Sequence, residues 1–135
     1  MRPQPLICVS DVASASRFYQ RLLGARSAHG GSEYEMLVNA EGELIMQLHS
    51  FTVGHHHGPI ADAGDRPYGN GVLLWFEVDD FDAAVARARE LHAEIVHDVL
   101  RNPPQGSGGP NHREIWLRDP DGYGVVLASP FGEAG

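Results

Sequence analysis

The chain has 135 residues, of which 42% are hydrophobic, and a formal net charge of −8. This length and apolar content predict one globular domain, or two half-domains that share a core. The acidic balance argues against nucleic-acid and anionic-membrane partners, and the absence of lysine excludes lysine-based covalent catalysis. No apolar run reaches the roughly 20 residues that a transmembrane helix needs, and the N-terminus lacks the apolar stretch of a signal peptide, so we expect a cytoplasmic protein.

The first half of the chain predicts a strand, a helix and a hairpin. In chain order, the pattern predicts a buried strand at residues 5–9, a helix between Asp11 and Gly24, and strands at residues 33–38 and 43–49. Asp11 suits an N-cap because its carboxylate can accept from amides of the first turn, and Gly24 suits the left-handed C-cap. The single cysteine, Cys8, lies in the first strand pattern, where we expect a buried, inert thiol.

Residues 50–70 interrupt the pattern and separate the two halves. They hold the triplet His55-His56-His57 between two glycines, followed by further proline and glycine. Such a composition predicts a long linker or lid. We therefore expect a first unit at about residues 1–50, a lid at 51–70 and a second unit at about 71–135.

The second half repeats the first. Asp80 opens a helical pattern 69 residues after Asp11, and the hairpin glycine Gly122 follows Gly42 by 80 residues. The predicted elements are a strand at 72–78, a helix capped by Asp80, a strand at about 94–99, a loop at 101–111, and strands at 113–118 and 123–128. Each copy therefore reads β-α-β-β with room for a further strand, which favours an α+β fold with a site made by the two copies.

Two motifs carry a resemblance to a known family. The chain resembles the vicinal oxygen chelate superfamily in the turn Asp119-Pro120-Asp121-Gly122-Tyr123 before the last strand and in Phe76-Glu77-Val78-Asp79-Asp80 before the second helix. The segment Arg17-Phe18-Tyr19 and the duplication support the same resemblance. This superfamily includes glyoxalase I, extradiol dioxygenases, fosfomycin-resistance enzymes and bleomycin-resistance proteins. The resemblance implies two βαβββ units whose mixed sheets curl into a cup, a divalent metal in that cup, and a homodimer.

The positions that the resemblance assigns to metal ligands depart from the family pattern. They are Gln4 and Leu73 on the first strand of each unit, Val126 on the last strand, and Met46 or Gln47 as the counterpart of Val126. Leu73 and Val126 offer no lone pair, and a neutral amide such as that of Gln4 is a weak ligand for a divalent ion. We therefore expect no metal at the family position and no cofactor.

The histidines keep a metal-dependent alternative open. The chain has eight histidines, and His49, His56 and His112 are fallback ligands because imidazole is the commonest ligand for transition metals. The opposing interpretation is that the triplet forms a solvated, polar lid.

One strand of the second half carries the candidate chemistry. Alternation places His112, Glu114 and Trp116 on one face of the strand, opposite Ile115 and Leu117. The resemblance implies that Trp116 lines the cup, in which case Glu114 can act as an acceptor or general base, and His112 as acid, base or ligand. The alternative is that Ile115 and Leu117 mark the core and that the other face meets solvent.

Further pocket candidates follow from the alternation of side chains along the strands and from the repeat. Trp75 can form a second aromatic wall or belong to the core. Tyr34 and Met36 occupy the places in the first copy that Glu114 and Trp116 occupy in the second, and Gln4 and Gln47 complete the ligand-binding candidates.

The sequence thus predicts a small-molecule-binding protein of the glyoxalase and bleomycin-resistance type that lacks the usual metal. Two enzymatic alternatives stay open. One is a metal-dependent lyase, isomerase or dioxygenase with a histidine site, and the other is a metal-free acid–base enzyme that uses Glu114 and His112.

Overall fold

A computed structural model describes residues 1–105 and 109–133, which form two compact units. Unit 1 comprises Met1–Arg66 and unit 2 comprises Pro67–Gly135. Within the described residues, each unit has the order βαβββ and one four-stranded mixed sheet, which confirms the predicted α+β class. The boundary between the units falls inside the segment 51–70 that was expected to separate the copies.

Unit 1 consists of a sheet with one helix packed behind it. Its elements are β1 (Leu6–Val9), α1 (Val12–Leu23), β2 (Arg26–Ser27), β3 (Tyr34–Val38) and β4 (Leu44–Ser50). The strand order is β1-β4-β3-β2, with β1 parallel to β4 and the other pairs antiparallel. The buried stripe of α1, which includes Tyr19 and Leu22, packs on β3 and β4, where Leu37 and Leu48 are fully buried.

Unit 2 repeats this arrangement. Its elements are β5 (Leu73–Glu77), α2 (Phe81–Glu90), β6 (Glu94–Asn102), β7 (His112–Arg118) and β8 (Gly124–Ala128). The strand order is β5-β8-β7-β6, with β5 parallel to β8. The helix packs on β8, and Arg113 of β7 lies with its guanidinium 4.7 Å above the ring of Phe81. The face of β7 that holds Arg113, Ile115 and Leu117 is therefore the helix-facing core.

The two helices begin with the same capping geometry. Ser14 N donates to Asp11 Oδ1 at 2.9 Å, and Ala83 N donates to Asp80 Oδ1 at 3.0 Å. Each aspartate has extended backbone angles and satisfies an amide that has no partner within its helix. Gly24 ends α1 at φ +66°, in the left-handed region that glycine adopts without strain.

The two hairpin turns are also alike. The side-chain oxygen of Asn39 accepts from the amides two and four residues later, at 3.1 and 2.9 Å. Asp119 does the same at 2.9 Å for both amides. The glycines that close these turns, Gly42 and Gly122, have φ values of +81° and +91°. The duplication seen in the sequence is thus a duplication of local hydrogen bonding.

Some elements differ from the expectations. The short strand β2 supplies the further strand for which unit 1 had room, and β6 continues to Asn102, past the predicted end at 99. The segment 51–70 contains a short 3-10 turn at His55–His57. Of the predicted loop at 101–111, residues 106–108 lie outside the described residues. No helix in the described ranges is long and apolar enough to cross a membrane.

Candidate functional site

The predicted site residues lie on the open face of each sheet, opposite the helix. In unit 2, Trp75 and Trp116 both pair with Val126 in register, so the three side chains form one row across β5, β8 and β7. In unit 1, Gln47 pairs with Leu6 on one side and with Met36 on the other. The two rows occupy equivalent strands of the repeat.

The residues at the positions that the resemblance assigns to metal ligands do not fit a divalent metal. Val126 is fully buried and Leu73 is half-exposed, and both side chains are hydrocarbon. The amide of Gln47 is engaged within unit 1, because Tyr34 Oη donates to its Oε1 and its Nε2 donates to the carbonyl of Gln4 at 3.0 Å. A divalent ion needs several N, O or S donors, generally including anionic or imidazole groups, and these positions supply none of that kind.

Unit 1 contains a cavity of about 710 Å³ on its open face. It is lined by Leu6, His29, Gly30, Gly31, Ser32, Glu33, Tyr34, His49, His56 and His57. The Tyr34 ring forms one wall, with ring centroids 5.0 Å from His29 and 6.4 Å from His49. Five of these ten residues are tyrosine or histidine, and two are the neighbouring glycines of one loop.

A buried carboxylate holds that loop in place. Glu35 lies on the helix-facing side of β3 and is 3% exposed. Its Oε2 accepts from the hydroxyls of Ser16 and Ser27 at 2.8 and 2.7 Å. Its Oε1 accepts from the amides of residues 29, 30 and 36, at 3.3, 2.8 and 2.8 Å. Burial raises the pKa of Glu35, but these hydrogen bonds outweigh burial and leave the pKa lowered.

Three histidines of unit 1, His49, His56 and His57, lie close together along the cavity. The ring of His49 on β4 lies 5.4 Å from that of His57, and His56 lies 5.7 Å from His57. Among the residues that the structure describes, no three His, Cys, Asp or Glu side chains are placed to hold one ion. The third histidine of the fallback set, His112, lies in unit 2, where its ring bonds to Glu114.

In unit 2, His112, Glu114 and Trp116 form a buried network. His112 Nε2 lies 2.6 Å from Glu114 Oε2, and Trp116 Nε1 donates to Glu114 Oε1 at 2.9 Å. Asn102 Nδ2 adds a longer bond of 3.4 Å to Glu114 Oε2. Burial raises the pKa of Glu114, but the bonds from Trp116, His112 and Asn102 outweigh it, so the pKa is lowered and the carboxylate is charged. As alternation predicted, these side chains share one face of β7, and Glu114 and His112 are buried there.

Two aromatic rings flank His112. Its ring centroid lies 5.8 Å from Trp75 and 5.4 Å from Phe131, and its side chain is fully buried. A charged carboxylate can only accept, so His112 donates from Nε2 to Glu114. Within the described part of the chain, Nδ1 of His112 has no hydrogen-bond partner. The bond to Glu114 therefore fixes which ring nitrogen of His112 donates, and Nδ1 is the nitrogen left for proton transfer.

Several residues that build the cavity were not among the predicted site residues. Glu35 belongs to none of the sequence motifs, and only its contacts with distant residues reveal that it holds the loop of Gly30 and Gly31. His57 was named only as part of the triplet, from which the sequence analysis chose His56 as the fallback ligand. For His57, the one signal in the sequence was that histidines are common at metal and catalytic sites.

Paired βαβββ units with candidate chemistry on the open faces of their sheets define a recognisable structural class. The chain belongs to the Glyoxalase/Bleomycin resistance protein/Dioxygenase superfamily, whose family model matches residues 3–127. The resemblance stated from the sequence is thereby confirmed.

Solved structures agree with this fold. A lactoylglutathione lyase from Agrobacterium tumefaciens is 17% identical, with a TM-score of 0.66 and coverage of 96% of this chain and 92% of that chain. The fosfomycin resistance protein FosX from Listeria monocytogenes, solved with Mn(II) and sulfate, is 15% identical, with a TM-score of 0.66 and coverage of 99% and 93%. A protein of unknown function from Agrobacterium tumefaciens reaches 22% identity and a TM-score of 0.68, with coverage of 96% and 94%. No curated protein matches the chain.

Proposed function

We propose that this protein binds a small organic molecule in the cavity of unit 1, without a metal at the family's position. The observation that carries the proposal is the cavity itself, which has about 710 Å³ and lies on the open face of the sheet. Small-molecule sites are typically concave, of 300–1,000 Å³ by rough survey, and mostly aromatic or apolar with a few polar groups. The residues at the metal positions, Leu73 and Val126 in unit 2 and Gln47 in unit 1, support binding without that ion.

The lining indicates the chemistry of the ligand. Tyr34, His29 and His49 present ring faces and edges, which suit a planar aromatic group. The net charge of −8 favours neutral or cationic molecules over anions. We therefore propose a neutral or cationic aromatic compound as the ligand class.

A thermal-shift screen of chelator-treated protein against neutral, cationic and anionic aromatic compounds tests this proposal. A ligand at 100 times its Kd stabilises the protein by about 2.7 kcal/mol, which is readily detected. For each compound that binds, calorimetry compares wild type with Tyr34→Ala and with the control Phe131→Ala, which removes an exposed ring of unit 2. We expect at least a tenfold loss of affinity for Tyr34→Ala and none for Phe131→Ala. Equal affinity for wild type and Tyr34→Ala would refute binding in this cavity.

A second candidate function is metal-free acid–base catalysis by His112. The observation that favours it is the 2.6 Å bond between His112 Nε2 and the charged Glu114, with the buried Nδ1 of His112 left without a hydrogen-bond partner in the described part of the chain. In this role His112 is the base, and Glu114 holds and stabilises the imidazolium, instead of acting as the base itself. Product formation from any bound compound, followed by NMR, should disappear in His112→Gln and persist in His97→Gln. Retention of turnover in His112→Gln would remove this candidate.

Two further properties belong to the proposal. We expect the protein to act in the cytoplasm and as a homodimer, as the family resemblance implies. Cell fractionation tests the first expectation, and light scattering coupled to size-exclusion chromatography tests the second.

A further inference from the structure

Two imidazoles of unit 1 are oriented in the same way by the backbone. Nδ1 of His49 lies 2.7 Å from the carbonyl of Ser50, and Nδ1 of His57 lies 2.7 Å from the carbonyl of Gly58. A carbonyl oxygen can only accept, so each Nδ1 carries the proton and each Nε2 carries the in-plane lone pair. Histidines that bind metals almost always donate their second ring nitrogen to a carbonyl, a carboxylate or water in this manner.

The separation of the two rings is close to that of two imidazoles bound to one ion. A metal–nitrogen bond of about 2.0–2.1 Å places a ring centre about 3.2 Å from the metal, so two imidazoles on one ion have centres roughly 4.5–5.2 Å apart. The centroids of His49 and His57 are 5.4 Å apart. The centroid separation therefore lies just above the upper end of the range for two imidazoles on one ion.

The supports of the two rings differ in rigidity. His49 is 4% exposed and lies on β4, paired in register with Cys8 of β1 and Tyr34 of β3. His57 is exposed and lies in the 3-10 turn that borders the cavity. One ligand is thus held by the sheet, and the other lies on a surface turn that can adjust to the ion.

We propose that His49 and His57 form a two-imidazole site for a first-row transition-metal ion, with water in the remaining coordination positions. The site differs from the family's metal positions and does not rest on the proposed small-molecule function. Two neutral nitrogen donors favour Cu²⁺ most strongly in the first-row order, and Zn²⁺ and Ni²⁺ less. They disfavour Mg²⁺ and Ca²⁺, which prefer oxygen ligands.

The test uses Cu²⁺ alone with chelator-treated, untagged full-length protein and no organic ligand. Calorimetry measures the stoichiometry and affinity, and pulsed electron paramagnetic resonance counts the remote imidazole nitrogens on the copper. The variants are His49→Phe, which keeps an aromatic ring beside Tyr34, and His57→Phe, which changes an exposed residue. His97→Phe in unit 2 is the matched control, because His97 is also an exposed histidine whose ring contacts an aromatic side chain.

We expect one Cu²⁺ per chain with two coupled imidazoles in wild type and in His97→Phe. Each of the other two variants should lose at least tenfold in affinity and one coupled imidazole. Unchanged binding in His49→Phe with retained circular dichroism would overturn the proposal, since the surface triplet or the N-terminal amine would then hold the metal. If His49→Phe does not fold, unchanged binding in His57→Phe overturns it equally. Failure of the aromatic screen with this copper site intact would refute only the proposed function.

Discussion

Replacing Glu114 by alanine tests how strongly the buried network of unit 2 stabilises the fold. Glu114 is 3% exposed and accepts short bonds from His112 at 2.6 Å and from Trp116 at 2.9 Å. Each buried donor left without an acceptor costs about 1–3 kcal/mol, and the longer bond from Asn102 adds little. Because His112 and Trp116 both lose their acceptor, we expect Glu114→Ala to lower the free energy of unfolding by about 2–6 kcal/mol.

Urea denaturation at pH 7, followed by circular dichroism, measures this loss. The control is Glu90→Ala, which removes an exposed carboxylate at the end of α2 in the same unit and should change stability by no more than about 0.5 kcal/mol. A cost below about 1 kcal/mol for Glu114→Ala would refute the view that this carboxylate satisfies the network.

The isosteric variant Glu114→Gln gives the pH dependence. The pKa of Glu114 is lower in the folded protein than its unfolded value of about 4.3. The stabilisation by its charge is therefore complete above the unfolded pKa and is lost as pH falls through the folded pKa. The stability difference between wild type and Glu114→Gln should be constant above about pH 5 and should close in acid. A difference that widens in acid would contradict the assigned charge state.

Three further outcomes follow from the contacts. Glu35→Gln should lower the free energy of unfolding by about 2–3 kcal/mol, because an acceptor oxygen that faces five donors is partly replaced by a donor. It should also speed amide hydrogen exchange in the loop of residues 29–31. Unchanged exchange would show that other contacts hold the loop. Gly69→Ala should lower the free energy of unfolding, measured in urea, by about 1–3 kcal/mol more than Gly71→Ala does. Both glycines have positive φ, but only a Cβ at residue 69 would lie 2.6 Å from the Tyr123 ring. Equal losses for the two variants would count against this clash. Arg113→Ala should lower the free energy of unfolding by only about 1 kcal/mol, because solvent screens the ion pairs of Arg113 with Asp82 and Glu133. This loss should become smaller in 1 M salt. A loss that does not depend on salt would be assigned to packing instead.

The sequence by itself determined the repeat and the elements of each unit. The caps at Asp11 and Asp80, and the turns that end at Gly42 and Gly122, depend on bonds between residues at most four positions apart. Such local chemistry can be read from residue type and spacing. Alternation also grouped His112, Glu114 and Trp116 on one face of β7, because side chains in a strand point to opposite sides in turn.

Only the tertiary structure decided which polar groups meet. Glu35 reaches Ser16, 19 residues away, and no local pattern marks that bond. The triplet likewise left open whether its histidines gather or form a solvated lid, and only the structure shows that the ring of His57 lies 5.4 Å from that of His49 on β4. Contacts of this kind depend on how strands and helix pack, and they are therefore set by the whole unit and not by the segment in which each residue lies.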